Sequence, residues 1–480
     1  LVSFPRALAH HVARDPRRVA VVCEDRALSR EALDRRSNRL ARAYAALGVK
    51  EGDRVTLALP NGIGFLEAAF ATWKLGAVPN PVSSLLPERE RAALVELAEP
   101  ALVVGADGPA GRPSLSPGFE PDPALSDAPL PDRTSPHAQA IASGGSTGRP
   151  KLIVDALPAQ CDPESTQYGL PPEAPVLVPG PLYHTGPFIN ARMTLLSGGT
   201  VILMRRFDPS RALELIEQHR VQWVNFVPTM MLRIWKLPES ERKGRDLSSL
   251  RVVMSTGAAC PAWLKRAWID WLGPERIFEA YGGTERIGGT MISGSEWLAH
   301  PGSVGRPTGG RQMRILDGSG RELPPGQVGE VYFLPPGGPG STYRYVGADA
   351  RASADGWESL GDLGYVDEDG YLYLVDRRSD LIVTGGANVY PAEVEAALDA
   401  HPAVRSCAVI GLPDGDLGQR VHAIVEVSGP VDEAGLRAHL ADHLVRYKIP
   451  RSFEFVDRPL RDDAGKVRRS ALREARTGRD

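Results

Sequence analysis

The residues best suited to chemistry lie in a few short stretches. Ser143-Gly144-Gly145-Ser146-Thr147-Gly148-Arg149-Pro150-Lys151 follows the apolar run 138–142. Its glycines and small hydroxyl residues let backbone N–H groups and hydroxyls wrap an anion, and Lys151 adds a point charge at the rim. It is not a Walker A loop: that pattern ends in Gly-Lys-Ser/Thr, whereas here Pro150 precedes the lysine and Leu152 follows it. Alone, it would also serve as a turn between strands. Tyr281-Gly282-Gly283-Thr284-Glu285 follows a second apolar run, 277–280, and residues at a strand end reach a crevice. Its glycines admit a flat ring, Thr284 can hold a phosphate oxygen, and Glu285 is a hard oxygen ligand suited to Mg²⁺. Asp362 and Arg377 offer a carboxylate and a guanidinium suited to ribose hydroxyls. Ala464-Gly465-Lys466-Val467 puts a lysine behind a glycine turn near the C-terminal end. Each charge taken singly also fits a solvated surface.

The surrounding pattern must position these residues. In 31–47, Leu33, Leu40, Tyr44 and Leu47 fall on one stripe, predicting an amphipathic helix ended by Gly48. Strands are expected at 55–59 and 101–104, with a helix at 65–75 between them, an alternation that argues for layered α/β structure. Segment 105–136, with eight prolines, is expected to be a surface loop or disordered connector. Further strands are expected at 176–178, 200–204, 221–227, 251–254 and 277–280, with helices at 211–219 and 262–272 between them, then a mostly β segment at 302–333. After Asp376 the pattern shifts to a compact α+β unit: strand 381–383, a Gly-Gly turn, helix 391–398 and strands 404–411 and 421–427. The expected domains are therefore 1–376 and 377–480. No internal repeat is visible.

Composition excludes several classes. The 480 residues carry 56 Lys+Arg against 59 Asp+Glu, a net charge of −3, without the basic excess of a nucleic-acid binder. Charged residues at 24% and hydrophobic ones at 42% are globular values and exclude wholesale disorder. Four cysteines without a CxxC pair indicate neither a disulfide framework nor a zinc knuckle. His10-His11 lacks a ligating cluster and is expected at the surface. No apolar run reaches the roughly 18–20 residues of a membrane span. The opening residues show no signal peptide, the initial Leu implies that a few residues were trimmed, and the expected compartment is the cytoplasm.

In order and spacing, these segments resemble the adenylate-forming superfamily: acyl-CoA synthetases, peptide-synthetase adenylation domains and firefly luciferase. The resemblance spans about 4–472, and 377–395 looks most like acyl-CoA synthetases. It implies an α/β fold, with a large N-terminal domain of layered sheets plus a small β-rich part, and a small mobile α+β C-terminal lid. It implies ATP and Mg²⁺, a small-molecule carboxylic acid, and CoA as acceptor. Lys466 would bridge the carboxylate and α-phosphate, with Mg²⁺ on Glu285 and Thr284 beside it. Ser143, Gly144, Gly145, Ser146, Thr147, Gly148 and Lys151 would cradle the β- and γ-phosphates. Gly257-Ala258-Ala259 and Tyr281-Gly282-Gly283 would sandwich adenine, and Asp362 and Arg377 would fix the ribose. His184 would gate the acid, Ser379 would be the hinge, and Gly385 and Gly386 would line a pantetheine tunnel.

Three positions depart from the family pattern. Gly144 replaces a Ser or Thr, Ser379 replaces an Asp or Lys, and Asp462 replaces a Thr four residues before the lysine. Amino-acid-activating relatives carry an Asp where Thr185 stands, so a free α-amino acid is not expected. Asn225, Phe226, Val227, Pro228 and Met230, with Gly282, are the expected pocket walls, suited to an aromatic or aliphatic acid. The stretch after Lys466 leaves no carrier-protein domain, so a complete peptide-synthetase module is not expected. A carrier-protein thiol, an amine, or nitrite activated to diazotise an arylamine are the alternative chemistries. A nucleotide-binding regulatory module without turnover is the alternative class, against which Lys466 and Glu285 argue.

Overall fold

The computed structural model describes residues 1–108, 111–144, 150–462 and 465–477, with the backbone alone at 143, 144 and 150. Its largest sheet has nine strands, of which six run parallel in the spatial order Ile277–Gly282, Val252–Ser255, Trp223–Phe226, Pro175–Val178, Thr200–Leu203, Val19–Cys23. Antiparallel strands close the edges: Arg26–Ser29 on one side, Gly289–Ser293 and Arg306–Pro307 on the other. Parallel strands covered on both faces must be apolar on both. Accordingly Val176 and Val178 enter one core, with Trp73 and Phe188, while Leu177 enters a second with Phe226 and Trp268.

The first core is shared with the helices Phe4–Arg14, Arg30–Ala46, Ile63–Lys74 and Thr185–Leu196 and with a smaller parallel sheet, Val78–Pro81, Arg54–Leu57, Leu102–Val104 and Ser114–Leu115. Trp73 sits at its centre, 1% exposed, with its ring against Phe4, Phe70 and Phe188 and its indole N–H donating to the Ala138 carbonyl at 2.9 Å. Two antiparallel sheets form the β-rich part: Gln312–Leu316, Gly329–Leu334, Glu358–Val366 and Leu372–Arg377, and the trio Tyr343–Val346, Pro150–Asp155 and Ala140–Gly144. The C-terminal sheet of Ala387–Val389, Ile382–Thr384, Gly418–Val427, Val404–Asp414 and Ser452–Val456 has its own core under the helices Pro391–Asp399 and Glu433–Ala441. The mixed α/β architecture expected from the sequence is thus present, with a large N-terminal part and a small C-terminal one.

Two expectations need correction. Within segment 105–136, residues 120–129 are a surface loop but not a disordered connector: they form a strap on the polar face of Arg30–Ala46. Asp127 accepts from Arg35 at 3.0 Å and Arg39 at 3.2 Å, and Arg42 donates to the Ala128 carbonyl at 2.8 Å. Proline-rich chain without secondary structure still holds one path when side chains satisfy its carbonyls. His11 is not a surface residue either: it is 1% exposed, with Nε2 2.9 Å from the Leu196 carbonyl, while His10 stays outside.

The C-terminal part lies closed on the body. Gly465, at φ +76°, packs so tightly on Thr229 that a Cβ there would overlap its hydroxyl. Arg468 pairs with Glu90 at 2.8 Å, Lys236 donates to the Val404 carbonyl, and Asp376 accepts from the Ala392 N–H at 2.9 Å. No helix among the described residues is long and apolar enough to cross a membrane.

Truncating Trp73 removes three ring contacts and strands the Ala138 carbonyl. Trp73→Ala should therefore lower the stability of the N-terminal part by about 3–5 kcal/mol, read from urea unfolding followed by circular dichroism.

Candidate active site

The cleft between body and lid is built where strands end. Val252–Ser255 and Ile277–Gly282 are parallel neighbours, so the loops beyond their C-terminal ends lie side by side. One carries Gly257, Ala258 and Ala259, all exposed, with Gly257 at φ +87°. The other carries Tyr281, Gly282, Gly283, Thr284 and Glu285. The strand runs on through Gly282, two residues further than the apolar run suggests, so Tyr281 is held by sheet pairing to Thr290.

Tyr281 donates to Asp362 Oδ2 at 2.7 Å, while Arg377 Nε lies 3.3 Å from Asp362 Oδ1. Asp362 and Arg377 face each other across adjacent antiparallel strands, which fixes the pair. Each carboxylate oxygen retains a further lone pair. Burial, then the Asp362 charge, pushes the Tyr281 phenol well above its ordinary value, so it stays a donor.

Glu285 is buried at 8% exposure and held from two sides. Tyr345 donates to its Oε1 at 2.6 Å, and Lys151 Nζ lies 3.6 Å from the same oxygen. Lys151 also sits 3.9 Å from the centre of the Tyr345 ring, a cation–π contact. Its strand pairs antiparallel with Ala140–Gly144, which sets Lys151 opposite Ser143. Gly145, Ser146, Thr147 and Gly148 lie outside the described residues, as do the side chains at 143 and 144.

Burial lowers the Lys151 pKa; Glu285 opposes this and Arg377 adds to it. Lys466 keeps exposed surface, but it stands in the cleft, where surrounding protein lowers its pKa first and Arg377 second, against Asp462 and Glu285. Its turn is closed by Asp462, whose Oδ1 accepts the Lys466 N–H at 2.8 Å and whose N–H donates to the Lys466 carbonyl at 3.0 Å. That is the local reason an acidic residue can stand at 462.

His184 precedes the helix Thr185–Leu196, on a loop pinned by Asn61, whose side chain bonds the Gly180 and Met204 carbonyls and the Leu182 N–H. The His184 Nε2 is buried without a partner among the described residues, as is Asn225 Oδ1. The Asn225 amide lies near Gly186 in the first turn of the same helix. Thr185 and Thr284 hydroxyls bond at 2.7 Å, joining this helix to the glycine-rich loop.

Phe226 departs from the expected pocket. Strand alternation sends Val224 and Phe226 into the core, where Phe226 packs on Phe207 and Trp268, and leaves Asn225 on the opposite face. Pro228 and Met230 are also buried, while Val227 remains half-buried beside Gly257 and Gly465. Gly385 and Gly386 form an exposed hairpin turn of the lid, with the Gly385 N–H on the Leu417 carbonyl, and are not part of the cluster. Ser379 is exposed between Arg378, paired to Glu330 of the body at 2.8 Å, and Asp380, paired to Arg469 of the lid at 3.0 Å. The sequence reading missed Tyr345, Thr342, which donates to the Glu285 carbonyl at 2.9 Å, and Asn61.

As a donor set this cleft fits Mg²⁺ in one specific way: the buried carboxylate of Glu285 stands beside cations that attract phosphate. Mg²⁺ is commonly held by one or two carboxylates plus phosphate oxygens. No group of three or more His, Cys, Asp or Glu among the described residues could cage a metal alone.

The model of the AMP-binding enzyme family matches residues 8–344, and that of its C-terminal domain matches 393–466. The chain belongs to the AMP-binding enzyme family. Feruloyl-CoA synthase of Amycolatopsis sp is 37% identical over 480 aligned residues, covering 95% of this chain and 96% of that protein. The solved structure of o-succinylbenzoate CoA synthetase from Bacillus subtilis with its acyl-adenylate superposes with a TM-score of 0.83 at 26% identity, covering 99% of both chains. A structure of that same synthetase with ATP and magnesium gives 0.82 at 26%, covering 97% and 98%. This AMP-binding enzyme is therefore an adenylate-forming ligase close to the acyl-CoA synthetases.

In this AMP-binding enzyme His184 is held neutral. Burial, and then the Lys466 charge, lower its pKa from 6.5 to about 3. An unfolded imidazole takes a proton near pH 6.5, so the stability owed to neutral His184 is complete above that pH and is lost as pH falls towards 3. NMR titration should show the His184 ring unchanged between pH 5 and 8; a midpoint near 6.5 would contradict its burial.

Proposed function

We propose that this enzyme joins a carboxylic acid to the α-phosphate of ATP, releasing pyrophosphate, and then passes the acyl group to the thiol of CoA. The observation that carries the proposal is the packing of Gly465 of the lid on Thr229 and Val227 of the body, which brings the next residue, Lys466, to the cleft that holds Glu285, Arg377 and His184. In the first step a carboxylate oxygen attacks the α-phosphorus and the bond to the β-phosphate oxygen breaks. An anion is meeting a polyanion, so fixed cations are the main need. Lys466 is the group for the carboxylate and α-phosphate, and Lys151 for the β- and γ-phosphates with the Ser143–Gly148 loop. Asp362 and Arg377 would take the ribose hydroxyls, and Tyr281 with Gly257 the adenine. Glu285 would hold Mg²⁺, which when bound neutralises phosphate charge.

In the second step the thiol sulfur attacks the acyl carbon, the bond to AMP breaks, and the thiol proton leaves with solvent. Ser379, flanked by a body clamp and a lid clamp, is suited to be the hinge that would bring Gly385-Gly386 to the thiol arm. Neutral His184, which repels no carboxylate and can donate or accept, suits the acid gate. Asn225 offers the pocket its only unpartnered buried amide oxygen among the described residues. With relatives named for feruloyl and succinylbenzoyl acids, an aryl acid is the reading we favour.

Pyrophosphate release should follow a panel of aryl and aliphatic acids and rise with CoA, and nitrite added to an aminobenzoate should not raise it above the aminobenzoate alone; orthophosphate release would sink the adenylation reading. Lys466→Ala should cut adenylate formation by about 100–1,000-fold while sparing thioester formation from a supplied adenylate. Equal loss in both steps would count against the assigned role.

A further inference from the structure

Two arginines flank Lys466, Arg461 and Arg469, and both turn back to one carboxylate on the lid helix Pro391–Asp399. Glu395 is 6% exposed. Its two oxygens accept from Arg469 Nη2 at 2.8 and 2.7 Å, Oε1 also accepts the Val409 N–H at 2.8 Å, and Oε2 lies 3.6 Å from Arg461 Nη2. Arg461 then donates to the Gly465 carbonyl at 3.2 Å and to the Cys407 carbonyl at 3.1 Å. Arg469 reaches Asp380, next to Ser379, at 3.0 Å. One buried carboxylate therefore touches both ends of the lysine loop, and through Arg461 the residue immediately before Lys466.

We propose that Glu395 is the positioning residue for Lys466, holding the loop so that its ammonium is delivered to the cleft. The proposal rests on the adenylation role read for Lys466. Glu395 itself touches no substrate. Arg469 Nη2 sits between both oxygens of Glu395 while Nη1 is held by Asp380, so the guanidinium is fixed in direction by two carboxylates through charge-assisted hydrogen bonds. Glu395→Gln keeps shape and the Val409 bond but removes the charge shared by both arginines.

The test compares Glu395→Gln with the unaltered chain, using trypsin cleavage after Lys466 and Arg468, ATP–pyrophosphate exchange with ferulate, and thioester formation from supplied feruloyl-adenylate. Cleavage in the loop should accelerate at least tenfold with the melting midpoint nearly unchanged. Exchange should fall about 100-fold in kcat with little change in the KM for ATP, because a misplaced group costs rate rather than binding. Thioester formation should be spared. In a Lys466→Ala background the substitution should add little further loss. Arg461→Ala should accelerate loop cleavage in the same way and serves if Glu395→Gln does not fold. Unchanged loop cleavage, or an undiminished loss in the Lys466→Ala background, would overturn the proposal. If Lys466→Ala leaves exchange intact, the adenylation role fails, while the cleavage result still decides whether Glu395 orders the loop.

Discussion

Three cations, Lys151, Arg377 and Lys466, are drawn into one cleft, and their mutual repulsion is what the rest of the molecule must accommodate. Desolvation by the surrounding protein lowers the pKa of both lysines, and Arg377 lowers them further. Glu285 and Asp362 offset part of this, one against each side of the cluster. Concentrating like charges at low dielectric is unfavourable unless a counter-ion arrives. A polyphosphate is such a counter-ion. A bound polyphosphate would relieve this repulsion, and until then the fold has to hold the charges against it.

It does so by taking each from a different rigid element. Lys151 stands on a strand paired antiparallel with Ala140–Gly144 and Arg377 at the end of a strand paired to Asp362. Glu285 follows a strand end and is braced by Tyr345 and Thr342 from the β-rich part. Lys466 comes from the lid, and its approach depends on a glycine: any side chain at 465 would strike Thr229. With Glu395 on the lid helix holding the two flanking arginines, the lysine would travel with the lid, as the proposed two-step reaction requires.

Much of this was legible in the sequence because it is local. Glycines beside hydroxyl residues, a Thr-Glu after a strand, and a Gly-Lys near the C-terminal end are short patterns whose chemistry follows from residue type. The pocket wall was less so: Phe226 and Asn225 are neighbours, and only the register of their strand decides that Phe226 enters the core. Tyr345 was hidden because it meets Glu285 across 60 residues. Residues 120–129 had no periodicity to read, and their course comes from side chains of the helix Arg30–Ala46, far earlier in the chain. Glu395 sits in a stretch whose resemblance to acyl-CoA synthetases was noted, yet its two arginine partners become visible only in three dimensions.

The central claim, that carboxylate oxygen attacks the α-phosphorus in this cleft, is tested most directly by isotope transfer. Ferulate and 2-succinylbenzoate labelled with ¹⁸O in the carboxylate would be turned over with ATP, Mg²⁺ and CoA, and the AMP analysed by mass spectrometry. The account predicts one ¹⁸O in the phosphate of each AMP released. Label appearing in orthophosphate, or AMP formed without label, would contradict it.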